Sequence, residues 1–354
     1  MYIEISDRHG FTLRDMLIGV AAIGLLLFLA LPAVRAAQEA ARRNRCISNL
    51  KQLAIALHNY HNIHKQFPNV TSTEIRGGAP ASISTENKLG AGYHWLVSIL
   101  PYLEETKLYG EMERASNRFT LSPFDAGVKP AGGNAAGAAG SFAAIEVDYS
   151  RCPSQRGGSF SEAPEFAAIG AKSVAAFNYV ALSATHLDCM LGDPNAPDYM
   201  TPNGVIVPGP TIITFRSIVD GTSRTLMLVE TRERNYTSWY DGSVGWVVAG
   251  DPIAPTPTID SNGWLKPYSY TFSALNVGPS RANANRVYLP MSLHSKIAID
   301  WEWGPSSEHV GRVVMHAIAD GSVRALTDDI DTQLYMQLIT RSGREPAGCC
   351  EDEP

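Results

Sequence analysis

The sequence predicts an α+β fold: a long N-terminal helix, membrane-spanning in its first half, packed on a mainly antiparallel β globular domain. Three observations predict it. An uncharged apolar run extends from Met16 to Val34, about the length of helix needed to cross a bilayer. Helix-forming sequence then continues without a polar break to about Lys65. Beyond about Ser173, short apolar or alternating runs bounded by turn residues replace the helical period.

The chain has 354 residues, 45% of them hydrophobic, enough for one large or two modest domains with a sizeable core. Its net charge of -6 gives no positive face for phosphate, so nucleic acid is not an expected partner. Basic residues cluster only after the apolar run, at Arg35, Arg42, Arg43, Arg45 and Lys51. By charge alone that side belongs in the cytoplasm, but long domains translocate largely regardless of nearby charge.

The N-terminal apolar run differs from a removed secretory signal, because no small-x-small site isolated by a polar break follows it. Retention is expected, with the lipid bilayer as a partner. From Asp15 to about Lys65 a single helix spans roughly 75 Å at 1.5 Å per residue, weakened only at Gly19, Gly24 and Pro32. Its outer half carries an apolar stripe, Ile47, Leu50, Ala54, Leu57 and His61, with Arg43, Asn49, Lys51 and Asn59 set off that face. Phe67-Pro68 ends the helix. The segment His94 to Glu104 reads as a second short helix broken near Pro101, and the Gly/Ala-rich stretch from Ala126 to Ala144 as a variable, mobile loop.

Strands are expected at Val174 to Ala181, Gly204 to Val207, Ile212 to Phe215, Thr225 to Glu230, Val244 to Val248 and within Val313 to Leu326. Asp220-Gly221, Asp241-Gly242 and Asp320-Gly321 mark turns, the last in the manner of a hairpin. A helix starting near Asp328 or Asp329 runs through Leu334 to Ile339. The resulting organisation is 1–10 leader, 11–34 transmembrane segment, 35–66 exposed continuation of the helix, 67–335 globular domain and 336–354 tail.

Candidate chemistry is sparse. The five cysteines lack zinc-ligand spacing. Cys46 and Cys152 are read either as a bridge pinning helix to body or as two small buried residues. His58, His61 and His64 have no nearby carboxylate and read as core or interface histidines. Asp220-Gly221-Thr222-Ser223 and Asp320-Gly321-Ser322 lack a nucleophile elbow and read as turns. The densest polar cluster is Glu308, His309, His316 and Asp320 with Asp328, Asp329 and Asp331. His309 and Asp320 are its candidate ligand or structural residues. Calcium suits such oxygen donors, but the EF-hand pattern is missing, and no cofactor or metal is expected. Cys349-Cys350 in the acidic tail carries no expected role.

Gly10-Phe11-Thr12-Leu13-Arg14-Asp15 followed by the apolar run resembles the N-terminus of type IV prepilins and type II secretion pseudopilins. The resemblance implies cleavage after Gly10 by a prepilin peptidase and methylation of Phe11. It also implies an assembly role for Asp15, pairing with the Phe11 amine of a neighbouring subunit. Further blocks extend the match: Leu31-Pro32-Ala33-Val34, Glu39-Ala40-Ala41-Arg42-Arg43, Cys46 with Ser48-Asn49-Leu50-Lys51-Gln52, and Leu57-His58-Asn59-Tyr60-His61. Trp95-Leu96-Val97, Leu100-Pro101-Tyr102-Leu103-Glu104, Cys152-Pro153-Ser154, Asn178-Tyr179, Ile218 to Leu226, His309 and Ala319-Asp320-Gly321-Ser322-Val323 complete it.

On these residues the chain resembles a planctomycetal pseudopilin-like family of unknown function, a family-ten solute-binding type with a C-terminal His and Asp-Gly signature. That implies a non-enzymatic, single-pass inner-membrane subunit with its body on the periplasmic side, assembling with other pilin-like subunits through the helix. The alternative is an anchored module that binds a solute, glycan or exported protein.

Overall fold

A computed structural model describes residues 13–72, 75–76, 79–80, 92–125, 127–134, 140–161, 173–186, 188–191, 201–207, 211–233, 237–252, 270–272, 275 and 304–343. The leader, Gly10, Phe11 and Cys349-Cys350 lie outside the described residues, as does the side chain of Asp15.

The α+β architecture is present. Helix α1 (Leu13–His64) is 52 residues long and runs through Pro32 without interruption, about 78 Å at the usual rise. It ends where Lys65 turns into the left-handed region, φ 61, with Lys65 N donating to His61 O at 2.8 Å. Between Leu13 and Val34 every large apolar side chain is 51–77% exposed. A helix apolar on all sides has no face to turn to water, so this stretch needs an apolar environment.

The outer half behaves differently. Cys46, Leu50, Leu53, Ala54, Ala56 and Leu57 are all fully buried, a stripe at helical spacing that lies across a sheet. That sheet has five strands in the order β5 (Trp246–Val248), β3 (Tyr179–Ala184), β4 (Leu226–Glu230), β8 (Val313–Ile318) and β9 (Val323–Thr327). Only the β3–β5 pair is parallel. Two short pairs stand apart from it, the two-residue strands β1 (Ile75–Arg76) and β2 (Ala79–Pro80), and the three-residue strands β6 (Gly250–Pro252) and β7 (Tyr270–Phe272).

Strands β3, β4, β5 and β8 are covered on both faces, whereas the edge strand β9 is half-buried to exposed. Tyr179, Ala181, Leu228, Met315 and Ala317 join the core beneath α1, whereas Val180, Leu182, Val229, Val314 and Ile318 face Tyr335, Met336 and Ile339. Those three residues belong to the C-terminal helix, Thr332–Ile339. Burial on two faces explains why β3 and β8 read as continuous apolar runs rather than alternating ones. Asp331 caps the C-terminal helix by accepting from Leu334 N at 2.8 Å.

Helix α2 (Trp95–Ile99) passes directly into a 3-10 turn, Leu100–Tyr102, that holds Pro101, and α3 (Thr106–Ala115) follows. His94 caps α2, its Nδ1 accepting from Leu96 N at 3.0 Å. In the hairpin between β8 and β9, Gly321 has φ +87 and Asp320 Oδ1 accepts from Ser322 N at 2.9 Å, the conformation that favours glycine.

Four expectations need correction. Gly204 to Val207 and Ile212 to Phe215 are not strands; they are irregular connections, bent at 204–206 and entering a 3-10 turn at Phe215, whose hydrogen bonds go to β3 and to the chain leaving α1. Gly204 N donates to Ser183 O, Val70 N to Val207 O and Phe67 N to Ile213 O. The described part of Ala126 to Ala144 is not a mobile loop, because Val128, Phe142 and Ala143 are fully buried and Ala143 O accepts from Ala175 N at 2.7 Å. Asn49 is not off the buried face; it is 3% exposed and donates to Tyr179 Oη and Arg151 O.

The Gly204 connection passes so close to β3 that a Cβ there would meet Leu182 O and, at 2.6 Å, Ser183 O. Neither backbone oxygen can rotate away. Gly204→Ala is therefore expected to lower stability by about 1–3 kcal/mol, read as a lower urea midpoint with an unchanged slope.

Candidate functional site

Polar and redox-active groups converge where α1 enters the body. Glu39, Arg43, Cys46 and Leu50 recur at four- and three-residue spacing, which keeps them on one face of α1. Below Leu50 that face is apolar and covers the sheet. Above it, the same face meets two loops and the end of β4.

From the loop before Gln155, Cys152 forms a disulfide with Cys46, with Cα atoms 5.2 Å apart. Asn49, one turn on, ties the neighbouring backbone by donating to Arg151 O at 3.2 Å. From the loop before β8 comes His309, whose ring is fully buried. Its Nδ1 lies 2.9 Å from Glu39 Oε1 and its Nε2 lies 3.5 Å from both Cys152 Sγ and Glu230 Oε1. A carboxylate oxygen only accepts, so Nδ1 carries the proton that Glu39 receives.

Three further contacts brace Glu39, one of them from Ser154 Oγ, which donates to its Oε2 at 3.4 Å. Arg42 Nε donates to its Oε2 at 3.0 Å, and Val310 N reaches its Oε1 at 3.4 Å. Arg43 crosses the junction to donate from Nη2 to Val310 O at 2.7 Å.

Glu230 completes the group. It ends β4, pairs in register with Tyr179, and is 1% exposed. Met315 N donates to its Oε2 at 3.1 Å. Its Oε1, by contrast, is buried and accepts no hydrogen bond among the described residues. Burial pushes the Glu230 carboxyl above the usual range; His309, the Met315 amide and the Arg43 charge offset only part of that. For His309, burial disfavours the charged ring, but Glu230 and then Glu39 outweigh it, and the pKa is raised. The junction is thus a buried imidazole between two carboxylates, set against a disulfide.

The expected polar cluster at 308–331 does not exist as one site. His309 is at the junction, whereas Asp320 sits in the β8–β9 turn beside His58, which contacts Ala319 O at 2.9 Å. His316 points to the opposite face, with Nε2 2.9 Å from Tyr335 Oη. Glu308 accepts from Arg156 N, Asp328 pairs with Arg312, Asp329 accepts from Thr327 Oγ1, and Asp331 is a helix cap. His58 and His61 pack on Phe215, and His64 stacks on Tyr60. The Asp220 turn is held by Thr340, which donates to Asp220 Oδ2 at 3.2 Å.

Sequence reasoning did not single out Glu39 or Glu230. Glu39 stands two helical turns before Cys46, a signal that was present. Glu230 is a lone acid closing an apolar strand, which marks a buried charge only once the strand is known to be covered on both faces.

Against known proteins, a family model described as "Protein of unknown function (DUF1559)" matches residues 35–333. No curated protein and no solved structure matches the chain.

Proposed function

Because the chain belongs to the DUF1559 family of proteins of unknown function, we propose that it is a membrane-anchored, pseudopilin-like structural subunit of a type II secretion or type IV pilus-like envelope assembly. One observation carries this reading: α1 is a single helix whose first part is apolar on every side and whose second part is clamped to the body by a disulfide and a buried charged group. A tether needs no such clamp. A subunit that assembles through its helix does, because force or register on the helix must reach the body.

In this reading the leader is removed after Gly10 by a prepilin peptidase and Phe11 becomes the methylated N-terminus. Asp15 pairs with that amine on a neighbour, since a lone carboxylate in an apolar span is costly unless partnered. The helix spans the inner membrane, the body lies on the periplasmic side, and the role is non-enzymatic. Other pilin-like subunits pack along residues 11 to 65.

A second reading, an anchored binding module, would rest on a polar recess of about one water's size on the body, lined by Arg151, Gln155, Arg156, Asn178 and Glu233. Asn178 Oδ1 is buried there and accepts no hydrogen bond among the described residues. Such a module keeps its ligand affinity when the helix is removed.

Intact mass of the protein from its native membrane tests the first reading. The expected species begins at Phe11 and carries one added methyl group, and photo-crosslinkers in the helix capture further copies or other pilin-like chains. A mass beginning at Met1 sinks it.

A further inference from the structure

The Cys46–Cys152 disulfide closes one edge of a group that has the composition of a metal site. Both sulfurs, one Glu230 oxygen and one His309 nitrogen lie within 4.8 Å of one another, all buried. Bond lengths of about 2.0–2.3 Å to zinc place the donors of a tetrahedral site about 3.3–3.8 Å apart. His309 Nε2 already lies 3.5 Å from Cys152 Sγ and 3.5 Å from Glu230 Oε1. Two edges of the tetrahedron are therefore in place, and the sulfur–sulfur edge must open once the covalent bond is gone.

We infer that, when the Cys46–Cys152 disulfide is reduced, the junction becomes a tetrahedral site for a divalent metal ion of the zinc type, held by Cys46, Cys152, His309 and Glu230.

The surroundings are those such a site needs. The Glu230 oxygen that would ligate accepts no hydrogen bond among the described residues, although it is buried, while its other oxygen is held by Met315 N at 3.1 Å. That fixes the carboxylate with one oxygen aimed into the group. His309 presents Nε2 to the site because its Nδ1 is engaged by Glu39 at 2.9 Å, the carboxylate–histidine arrangement that orients metal-bound imidazoles. Glu39 is held in turn by Arg42 at 3.0 Å. Two thiolates and one carboxylate around a divalent ion leave one negative charge, and Arg43 is near enough to act on Glu230 electrostatically.

Thiolate and imidazole select a borderline ion of the zinc type over calcium or magnesium, which prefer oxygen alone.

The redox balance needs a named partner, a dithiol reductant. Thiol–disulfide exchange passes two electrons and two protons to the sulfur–sulfur bond, giving two thiols and leaving the reductant as its own disulfide. Metal binding then releases both thiol protons to solvent, together with any proton on His309 Nε2 or on the Glu230 carboxyl, while the Nδ1 proton stays on His309 and is hydrogen-bonded to Glu39. The oxidised protein is clamped covalently at this point and the reduced protein is clamped by the ion. The inference does not depend on the assembly role proposed above, since it concerns the junction alone.

The test uses the full chain in detergent with Cys349→Ser and Cys350→Ser, which removes the tail thiols as competing ligands. After phosphine reduction under anaerobic conditions, Co2+ is titrated in as the probe. The expected result is one Co2+ per chain with thiolate charge-transfer bands and the intense visible bands of a tetrahedral ion, displaced by Zn2+. The oxidised protein and a Cys46→Ser/Cys152→Ser variant give neither signal. Glu39→Gln weakens binding about 10- to 100-fold, as loss of an orienting carboxylate does.

Absence of binding to the reduced protein, or equal binding to the serine variant, overturns the inference. Because Glu230→Gln and His309→Gln each disturb a buried group, the ligand set is read instead by X-ray absorption on the zinc-loaded parent. Two sulfur and two nitrogen or oxygen neighbours are expected. Four sulfurs, or none, overturn the site.

Discussion

Replacing both Cys46 and Cys152 by serine is expected to lower the unfolding free energy by about 2–5 kcal/mol, measured with a chelator present so that no ion replaces the bond. The bridge joins residues 106 apart in sequence, and a loop of that length in the unfolded chain loses much conformational freedom when closed. The effect is on the unfolded ensemble more than on the folded contacts. With the bond absent, Leu50, Leu53 and Leu57 still lie buried against the sheet and Glu39 still meets His309. The helix should therefore stay docked at neutral pH while the denaturant midpoint falls. Dithiol reduction of the parent should give the same midpoint as the double variant. A change below about 1 kcal/mol would show that the unfolded chain is already constrained there by other means.

Acid is expected to unfold the body through histidines remote from the junction. Burial lowers both His94 and His316 to about 3, against an ordinary value near 6.5. His94 sits against Trp95 and Phe177 with its Nδ1 committed to Leu96 N, and its Nε2 has no hydrogen-bond partner among the described residues. His316 donates from Nδ1 to Val314 O and accepts at Nε2 from Tyr335. Both rings are therefore held neutral.

Since the folded pKa lies below the unfolded one, protons bind the unfolded chain first. The stabilisation is complete above about pH 6.5 and is lost as pH falls toward 3. Between pH 7 and pH 5 the pair should remove about 4 kcal/mol, half from each ring.

His94→Asn keeps an acceptor at the cap and removes one titration. It should halve that loss to about 2 kcal/mol, read from urea midpoints at the two pH values. An unchanged pH slope in the variant would exclude His94 as a source.

How much of this was legible depended on whether the signal was local. The stalk helix was readable because its period is written in consecutive residues, and the hairpin at Asp320-Gly321 because turn chemistry is local. Asn49 was misplaced because a polar side chain on a helix face looks solvated until a buried Tyr179 hydroxyl stands opposite. The histidine and acid cluster dissolved for a different reason. In β8, the first strand of a hairpin, neighbouring side chains alternate between two covered faces, so His316 and Met315 end in different cores. Gly204 to Val207 reads as a strand from its apolar residues, yet its hydrogen bonds are scattered over Ser183, Val70 and Arg341 instead of forming a ladder with one strand. The junction itself draws Glu39, Cys152, Glu230 and His309 from four distant segments, and no spacing rule connects them.

Helix α1 also fixes an angle. Each residue turns an α-helix by about 100°, and no flexible joint separates Val34 from Cys46. The azimuth at which the body faces its surroundings is therefore counted out in residues along the stalk. One residue added above Glu39 would swing the sheet about a quarter-turn around the helix axis while leaving every contact within the body intact. Length and heading are set by the same stretch of chain, so neither can drift in evolution without the other.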